Sequence, residues 1–302
     1  MTAPQSTSQA HYDDIRQALI DIQFVKITGP TGDWIVLSEP TKPLAFTPEH
    51  IAWLCNRSSG VGAIGVVLIT AASRPTQYPV FDLEAWKADG TPVTDLTEAA
   101  RAATYTLAAL HRIPDSETSH HVFNSATGII TTVYTPTYVG VDIGQWSYAA
   151  PDTATAAGSD TLVMAAGLTD PRPGLSIRTQ SLHITIAVES FDELESIDLT
   201  QSPSVEPPVT EPTGVNFVVP QDPLMIEGMG QLALRHHPAD PGTLELGSAA
   251  AAATIAFQLW AGLTQPHIWN VSTLHGDIVV QLHEDRRVST FAALSTVFFG
   301  RL

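Results

Sequence analysis

The 302-residue chain holds one cysteine, Cys55, so it can form no internal disulfide and no cysteine-rich metal site. It is also short of positive charge. Fourteen lysines and arginines stand against 31 acidic residues, a formal net charge of -17. A surface of that sign repels nucleic acid and anionic membrane, so neither is an expected partner. Long apolar runs are missing: no stretch reaches the length of a membrane span. The opening "MTAPQSTSQAHYDD" has neither the basic region nor the apolar run of a signal peptide, so the expected compartment is the cytoplasm. "RHH" at 235–237, with His275 and His283, fits neither a helical His-Glu-x-x-His pattern nor a facial triad, and no metal is expected. "SSGVGAIG" lacks the phosphate-loop lysine and the dinucleotide spacing, so it reads as a tight turn and no cofactor is expected.

What is present is a folded composition, 44% hydrophobic and 15% charged. Residues 1–20 read as a flexible tail running into a short helix. "DIQFVKITG" and "DWIVLSE" read as strands around a turn. "TPEHIAWLCNR" reads as a helix capped by Thr47 with Pro48 first, which places Cys55 near its end as a buried structural thiol. "GAIGVVLITAAS" and "VFDLEAWKADG" are strands. "TDLTEAARAATYTLAALHRI" carries a helix-spaced apolar face of Leu96, Ala100, Ala103, Leu107 and Leu110, with Thr94 or Thr97 as cap. The β-branched runs of 120–146 return to strand character. "APDTATAAGSD" is a low-hydrophobicity break that puts a domain boundary near residue 155. The second half then repeats the order of the first: strands around one alanine-rich helix, "GSAAAAATIAFQLWAG". The expected organisation is α+β. Two pseudo-symmetric β-rich domains, 21–155 (completed by a returning strand over about 286–302) and 156–285, each wrap a central alanine-rich helix, with a cleft between them.

The order and spacing of these pieces resemble the diaminopimelate epimerase family and its wider fold group, which includes proline racemases and phenazine-biosynthesis isomerases. "FVKITGPTGDWIVL", "LCNRSSGVGAIGVVLI", "KADGTPVTDLTEAAR", "VGVDIGQ", "SLHITIAVESFDELESIDL", "TGVNFV" and "GTLELGSAAAAA" carry the resemblance, from about residue 24 to the end. "VGVDIGQ" is similar to the strand that closes the family's first domain. The resemblance implies two cysteines facing each other across the cleft, one removing an α-proton and the other returning a proton, with no cofactor. Here both are gone. Leu96 stands at the first cysteine, followed by Thr97 and Glu98, and Leu246 at the second, followed by Gly247 and Ser248. Gly32, Lys87 and Ser181 take asparagine positions, Ile64 an aspartate position, and Pro238 and Ala239 fall near the Glu-Arg pair. Asn216, His183 and Arg101 match the family's polar set.

Two-base proton exchange needs two groups that hold and release a proton, and leucine has none. Leu96, Leu246 and Ile64 line an apolar pocket or fill a closed one. Glu98 is a general acid or base, or an ordinary acid in a first helical turn. Ser248 is part of an anion-holding helix start, or a plain N-cap. His183 is a proton-transfer group or a structural histidine, and Asn216 a ligand-bonding or a loop-bonding amide. Thr97, Gly247, Gly32, Lys87 and Ser181 are the remaining substrate-contact candidates. The reading favoured is a cofactor-independent isomerase or cyclase for a largely apolar or polyunsaturated small molecule. A non-catalytic binding protein and a structural pseudoenzyme, each derived from the epimerase fold, are the alternatives, and a homodimer is left open.

Overall fold

The computed structural model describes residues 19–38, 46–72, 80–239, 242, 245–262 and 266–302. Residues 1–18 of the expected tail lie outside them. The chain divides into two compact units, Met1–Pro136 with Leu294–Leu302, and Thr137–Ala293.

The first unit runs β1 (Gln23–Gly29), β2 (Gly32–Ser38), α1 (Pro48–Cys55), β3 (Gly65–Ala71), β4 (Val80–Lys87), α2 (Thr97–Ala109), β5 (Ser119–Ser125) and β6 (Gly128–Tyr134). The chain's last strand, β18 (Ser295–Arg301), returns to pair with β1. The strands lie in the order β18-β1-β2-β3-β4-β5-β6, and only β2–β3 and β4–β5 are parallel. A parallel pair cannot be closed by a hairpin and needs a crossover. Helix α1 occupies the first crossover and α2 the second. Helix α1 starts as expected: Thr47 and His50 form a reciprocal capping box and Pro48 opens the first turn. Alanines along α2 let it lie close against β1, β2, β3, β4 and β6.

The second unit contains β7 (Val139–Gln145), β8 (Ser147–Tyr148), α3 (Pro151–Ala157), β9 (Thr161–Met164), β10 (Arg172–Arg178), β11 (Leu182–Ala187) and α4 (Phe191–Ser196). It continues with β12 (Ser204–Glu206), β13 (Thr213–Ile226), β14 (Met229–His237), α5 (Leu246–Trp260), β15 (Ile268–Thr273), β16 (Gly276–Leu282) and β17 (Arg287–Ala292). The series β10-β11-β13-β14-β15-β16 repeats the strand directions of β1-β2-β3-β4-β5-β6, with parallel pairs at β11–β13 and β14–β15. Helices α4 and α5 take the two crossovers. The internal repeat is therefore real at the level of topology.

In both units the central strands, β1–β3 in the first and β10, β11, β13 and β14 in the second, are buried on two faces, which is why they read as near-continuous apolar runs. The outer faces of β2 and β3 pack Ile35, Leu37, Val66 and Leu68 against Ile51 and Leu54 of α1. The outer faces of β11 and β13 pack Ile184, Ile186, Val215 and Phe217 with Leu194 of α4. The alternate residues face the long helix. There each repeat sets a flat ring across a parallel pair from a glycine: Trp34 opposite Gly65, and His183 opposite Gly214. A Cβ on Gly65 would come 2.7 Å from the Trp34 ring, and one on Gly214 2.8 Å from His183 Nδ1. Gly230 opposite Trp269 repeats the device, and a Cβ there would overlap the fully buried indole. Gly230→Ala is expected to cost about 1–3 kcal/mol of stability by overpacking, read from urea unfolding.

Three expectations change. The boundary falls at 136/137 rather than near 155, and the return to the first unit at 294 rather than about 286. The cause is strand pairing: β7, expected to close the first unit, pairs antiparallel with β17 from Val139↔Ala292 to Gln145↔Arg287. "APDTATAAGSD" is not a break but mostly helix α3, opened by Pro151 and ended by Gly158 at φ 69°. Neither Thr94 nor Thr97 caps α2. Leu96 is the N-cap residue without a side-chain bond, and buried Asp95 accepts from Thr97 N at 3.0 Å instead.

Candidate functional site

Several buried polar side chains of the second unit, His183, Thr185, Asn216, Glu245 and Ser248, meet at the start of α5. Register explains why. Thr185 of β11 is paired with Asn216 of β13, and Asn216 with His236 of β14, so the three lie in one row across adjacent strands. His183 and Gly214 form the next row. Asn216 reaches helix α5, donating through Nδ2 to the Ala249 carbonyl and to Thr185 Oγ1, each at 3.3 Å.

Glu245, immediately before Leu246, turns back into this cluster. Its Oε1 accepts from the Ala239 amide at 3.0 Å and lies 3.4 Å from His236 Nε2. Its Oε2 accepts from Ser181 Oγ at 3.0 Å, and Ser181 Oγ is also 3.0 Å from His183 Nε2. The His183 and His236 rings sit 5.8 Å apart, with Gly214 supplying the space between them.

The chemistry fixes the hydrogens of Asn216, Ser181 and His183, and the one on His236 Nδ1. A carbonyl only accepts, so Asn216 must present Nδ2 to Ala249 and Oδ1 to His236. His236 therefore carries its hydrogen on Nδ1, 2.8 Å from Asn216 Oδ1. Burial opposes the ionisation of Glu245, but the His236 ring, His183 and the Ala239 amide outweigh it, and the carboxyl sits at about 2. It is a carboxylate at neutral pH and takes the one hydroxyl hydrogen of Ser181. His183 must then be the donor to Ser181, through Nε2–H. Burial first, and His236 next, push His183 down to about 3 against the pull of Glu245, so its ring is neutral. Its Nδ1 is buried and has no hydrogen-bond partner. This is not a nucleophile triad, because no carboxylate orients His183 through Nδ1.

The start of α2 in the first unit is organised differently. Glu98 is 3% exposed and Arg101 fully buried. Glu98 Oε2 accepts from Arg101 Nε at 3.1 Å and from Thr31 Oγ1 at 3.4 Å, and Oε1 from the second guanidinium nitrogen at 3.4 Å. Both carboxylate oxygens are thus engaged by a permanent cation. Leu96 and Thr97 are buried beside it. Ile64 lies over Gly32, its Cδ1 3.0 Å from where a Cβ on Gly32 would stand, at φ 116°. Lys87 ends β4 opposite Gly65. Cys55 is buried at the end of α1, and burial pushes its thiol up to about 12, so it is inert.

The structure thus gathers Ser181, His183, Asn216, Leu246, Gly247 and Ser248 around the start of α5, and Leu96, Thr97 and Glu98 at the start of α2. Ser248 is not an N-cap: Glu245 holds that position, and Ser248 is the third helical residue and fully buried. Leu96 is buried, whereas Leu246 is only half-buried. A carboxyl side chain lies close to each leucine in sequence, Glu98 to Leu96 and Glu245 to Leu246, so the helix starts are more polar than an all-apolar lining. Glu245 and His236 are the residues that sequence reasoning missed. His236 had been weighed only as a metal ligand within "RHH". Among the described residues no group of three His, Cys, Asp or Glu side chains could hold a metal ion. No helix among them is long and apolar enough to cross a membrane.

Against known proteins, no family model matches the chain. It is 27% identical over 159 residues to a putative chloroplastic diaminopimelate epimerase of Oryza sativa subsp. indica, which covers 51% of this chain and 43% of the rice protein. The match therefore spans less than half of that relative's length. A diaminopimelate epimerase of Rhodospirillum centenum is 24% identical over 284 residues, covering 93% of this chain and 92% of the other. Among solved structures, a phenazine biosynthesis protein of the PhzF family from Bacillus anthracis superposes with a TM-score of 0.63 at 10% identity, covering 93% and 98% of the two chains. The fold is the α+β, two-domain fold of the diaminopimelate epimerase-like proteins. The chain is similar in sequence to diaminopimelate epimerases and shares the fold of these isomerases and racemases, with leucine at both positions where the resemblance puts the thiols.

Proposed function

We propose that the chain is a cofactor-independent isomerase or cyclase acting on a largely apolar, polyunsaturated small molecule, and not an amino-acid epimerase. The observation that carries this reading is the pair of topologically equivalent helix starts, each with leucine in place of a reactive thiol. Leucine cannot exchange a proton, and the one thiol of the chain is inert at the end of α1. A shaped apolar surface accelerates an intramolecular reaction by restricting conformation, which needs few reactive groups.

On this reading Leu96 and Ile64 of the first unit, and Leu246 of the second, are candidate apolar contacts. Ser181 and the first residues of α5, including Gly247 and Ser248, meet the polar end. Asn216 and His183 hold the site in shape, because their hydrogen bonds are spent within it. Glu98 is bound by Arg101, so it acts as an anchor. Thr97, Gly32 and Lys87 stay candidate contacts. The alternative, a protein that binds such a molecule without converting it, is favoured by one feature: Glu98 and Glu245 are both saturated by internal partners.

The test is incubation with a panel of linear and cyclic polyunsaturated carbonyl compounds, followed by proton NMR. At least one member is expected to convert ten times faster than in buffer. Absence of acceleration across the panel sinks the enzyme reading, and co-purification of an unchanged apolar ligand supports the binding one.

A further inference from the structure

The hydrogen directions worked out above reach beyond shape. Of the cluster, His183 and Asn216 are fully buried and Glu245 is 2% exposed, whereas Ser181 is half-buried. Ser181 is therefore the outlet of the network. Its hydroxyl has one hydrogen and two lone pairs. The hydrogen goes to Glu245 Oε2 and one lone pair receives His183 Nε2–H, each at 3.0 Å. What remains is one lone pair, backed by an ionised carboxylate. His236 spends Nδ1–H on Asn216, and its Nε2 is buried toward Glu245.

We infer that Ser181 Oγ receives a hydrogen-bond donor from the ligand, a hydroxyl or an amine, and that it rejects a carboxylate. The inference rests on the reading above that the ligand's polar end meets the start of α5. It adds the chemical class of that end. An asparagine at position 181, which the family resemblance implies, brings two N–H donors; serine locked by Glu245 and His183 presents none. A ligand carboxylate would face a lone pair with a second carboxylate 3.0 Å behind it. Like charges so close in a partly buried site repel, and an acceptor facing an acceptor goes unsatisfied. A hydroxyl or ammonium instead extends the chain of hydrogen bonds by one link that ends on Glu245.

Three matched probes test this: cyclohexylmethanol, cyclohexylmethylamine and cyclohexanecarboxylate, titrated at millimolar concentration into nitrogen-15-labelled protein. The alcohol and the amine are expected to shift the amides of residues 181–183 and 245–248, and the carboxylate to leave them in place. Ser181→Ala is expected to weaken both productive probes at least fivefold, while Ser181→Thr, which keeps the hydroxyl, retains them. The threonine variant and an unchanged amide spectrum elsewhere separate a lost contact from a lost fold. Equal or larger shifts with the carboxylate overturn the inference, as does the absence of any probe-dependent shift at these amides. Donor-selective binding together with no turnover in the compound panel would remove the isomerase reading and leave this one standing. Turnover of substrates carrying a carboxylate at this end would do the reverse.

Discussion

Replacing Glu245 with alanine is expected to cost about 3–5 kcal/mol of stability, the range seen when one member of a buried ionic cluster is removed. The size follows from what the carboxylate leaves behind. Ser181 Oγ and the Ala239 amide both donate to it at 3.0 Å. Each would be left in a site with little room for water, and an unsatisfied buried polar group costs about 1–3 kcal/mol. Glu245→Gln keeps the shape and one acceptor oxygen, so its loss is expected to be smaller, about 1–2 kcal/mol. Urea unfolding with unchanged m-value measures both. A double-mutant cycle with Ser181→Ala should show coupling above about 0.5 kcal/mol, the level that contacts in one network reach. A loss below about 1 kcal/mol for the alanine variant would mean that Glu245 faces solvent and the network does not form. The prediction also bears on function, because donor selectivity at Ser181 exists only while Glu245 holds the serine hydrogen.

Some of this was legible in the sequence, for identifiable reasons. The two central helices stand out because alanine runs such as "GSAAAAATIAFQLWAG" have strong helix propensity, and α1 announces itself by Thr47, Pro48 and an apolar face. The internal repeat showed as an order of elements, although its basis, the same alternation of parallel and antiparallel pairs, lies in pairings that no local pattern contains. The boundary was misplaced because β7 has the composition of any buried strand. Its partner is Arg287–Ala292, more than 140 residues on, and only long-range register assigns it to the second unit. Helix α3 was missed because threonine and alanine next to proline and glycine look like a linker. Of the buried cluster, His183, Ser181 and Asn216 were singled out by motif position. Glu245 was passed over because it precedes the leucine that drew attention, and His236 because a histidine in a strand is ambiguous until its neighbour across the sheet is known. Gly214 had a signal of a kind: a glycine opposite a ring recurs at Gly65 and Gly230, but only pairing reveals the ring.

Acidification is expected to unfold this protein early, and His183 sets where the loss begins. In the folded chain His183 is held at about 3, against an ordinary value of 6.5. Between those values the unfolded chain binds a proton that the folded chain refuses, so stability rises with pH there and falls as pH is lowered from about 6.5. Each unit of pH is worth about 1.4 kcal/mol for one such group, so roughly 3 kcal/mol is lost between pH 6.5 and 4.5. His121 and His237 are also depressed, in each case by burial first, and add in the same direction. Glu245, held at about 2 against 4.5, has the same sign but acts only below pH 4.5. That separation of windows makes His183 distinguishable. His183→Gln is expected to be less stable at pH 7.5, having lost the shape of the ring over Gly214, yet flatter between pH 6.5 and 4.5 by about 1.4 kcal/mol per pH unit. Urea midpoints across that range measure the slope. Equal slopes in the two proteins would place a charged, solvated ring at His183. A protonated ring still donates through Nε2 to Ser181, whose hydrogen stays on Glu245, so the ligand class assigned to Ser181 does not depend on the charge of His183.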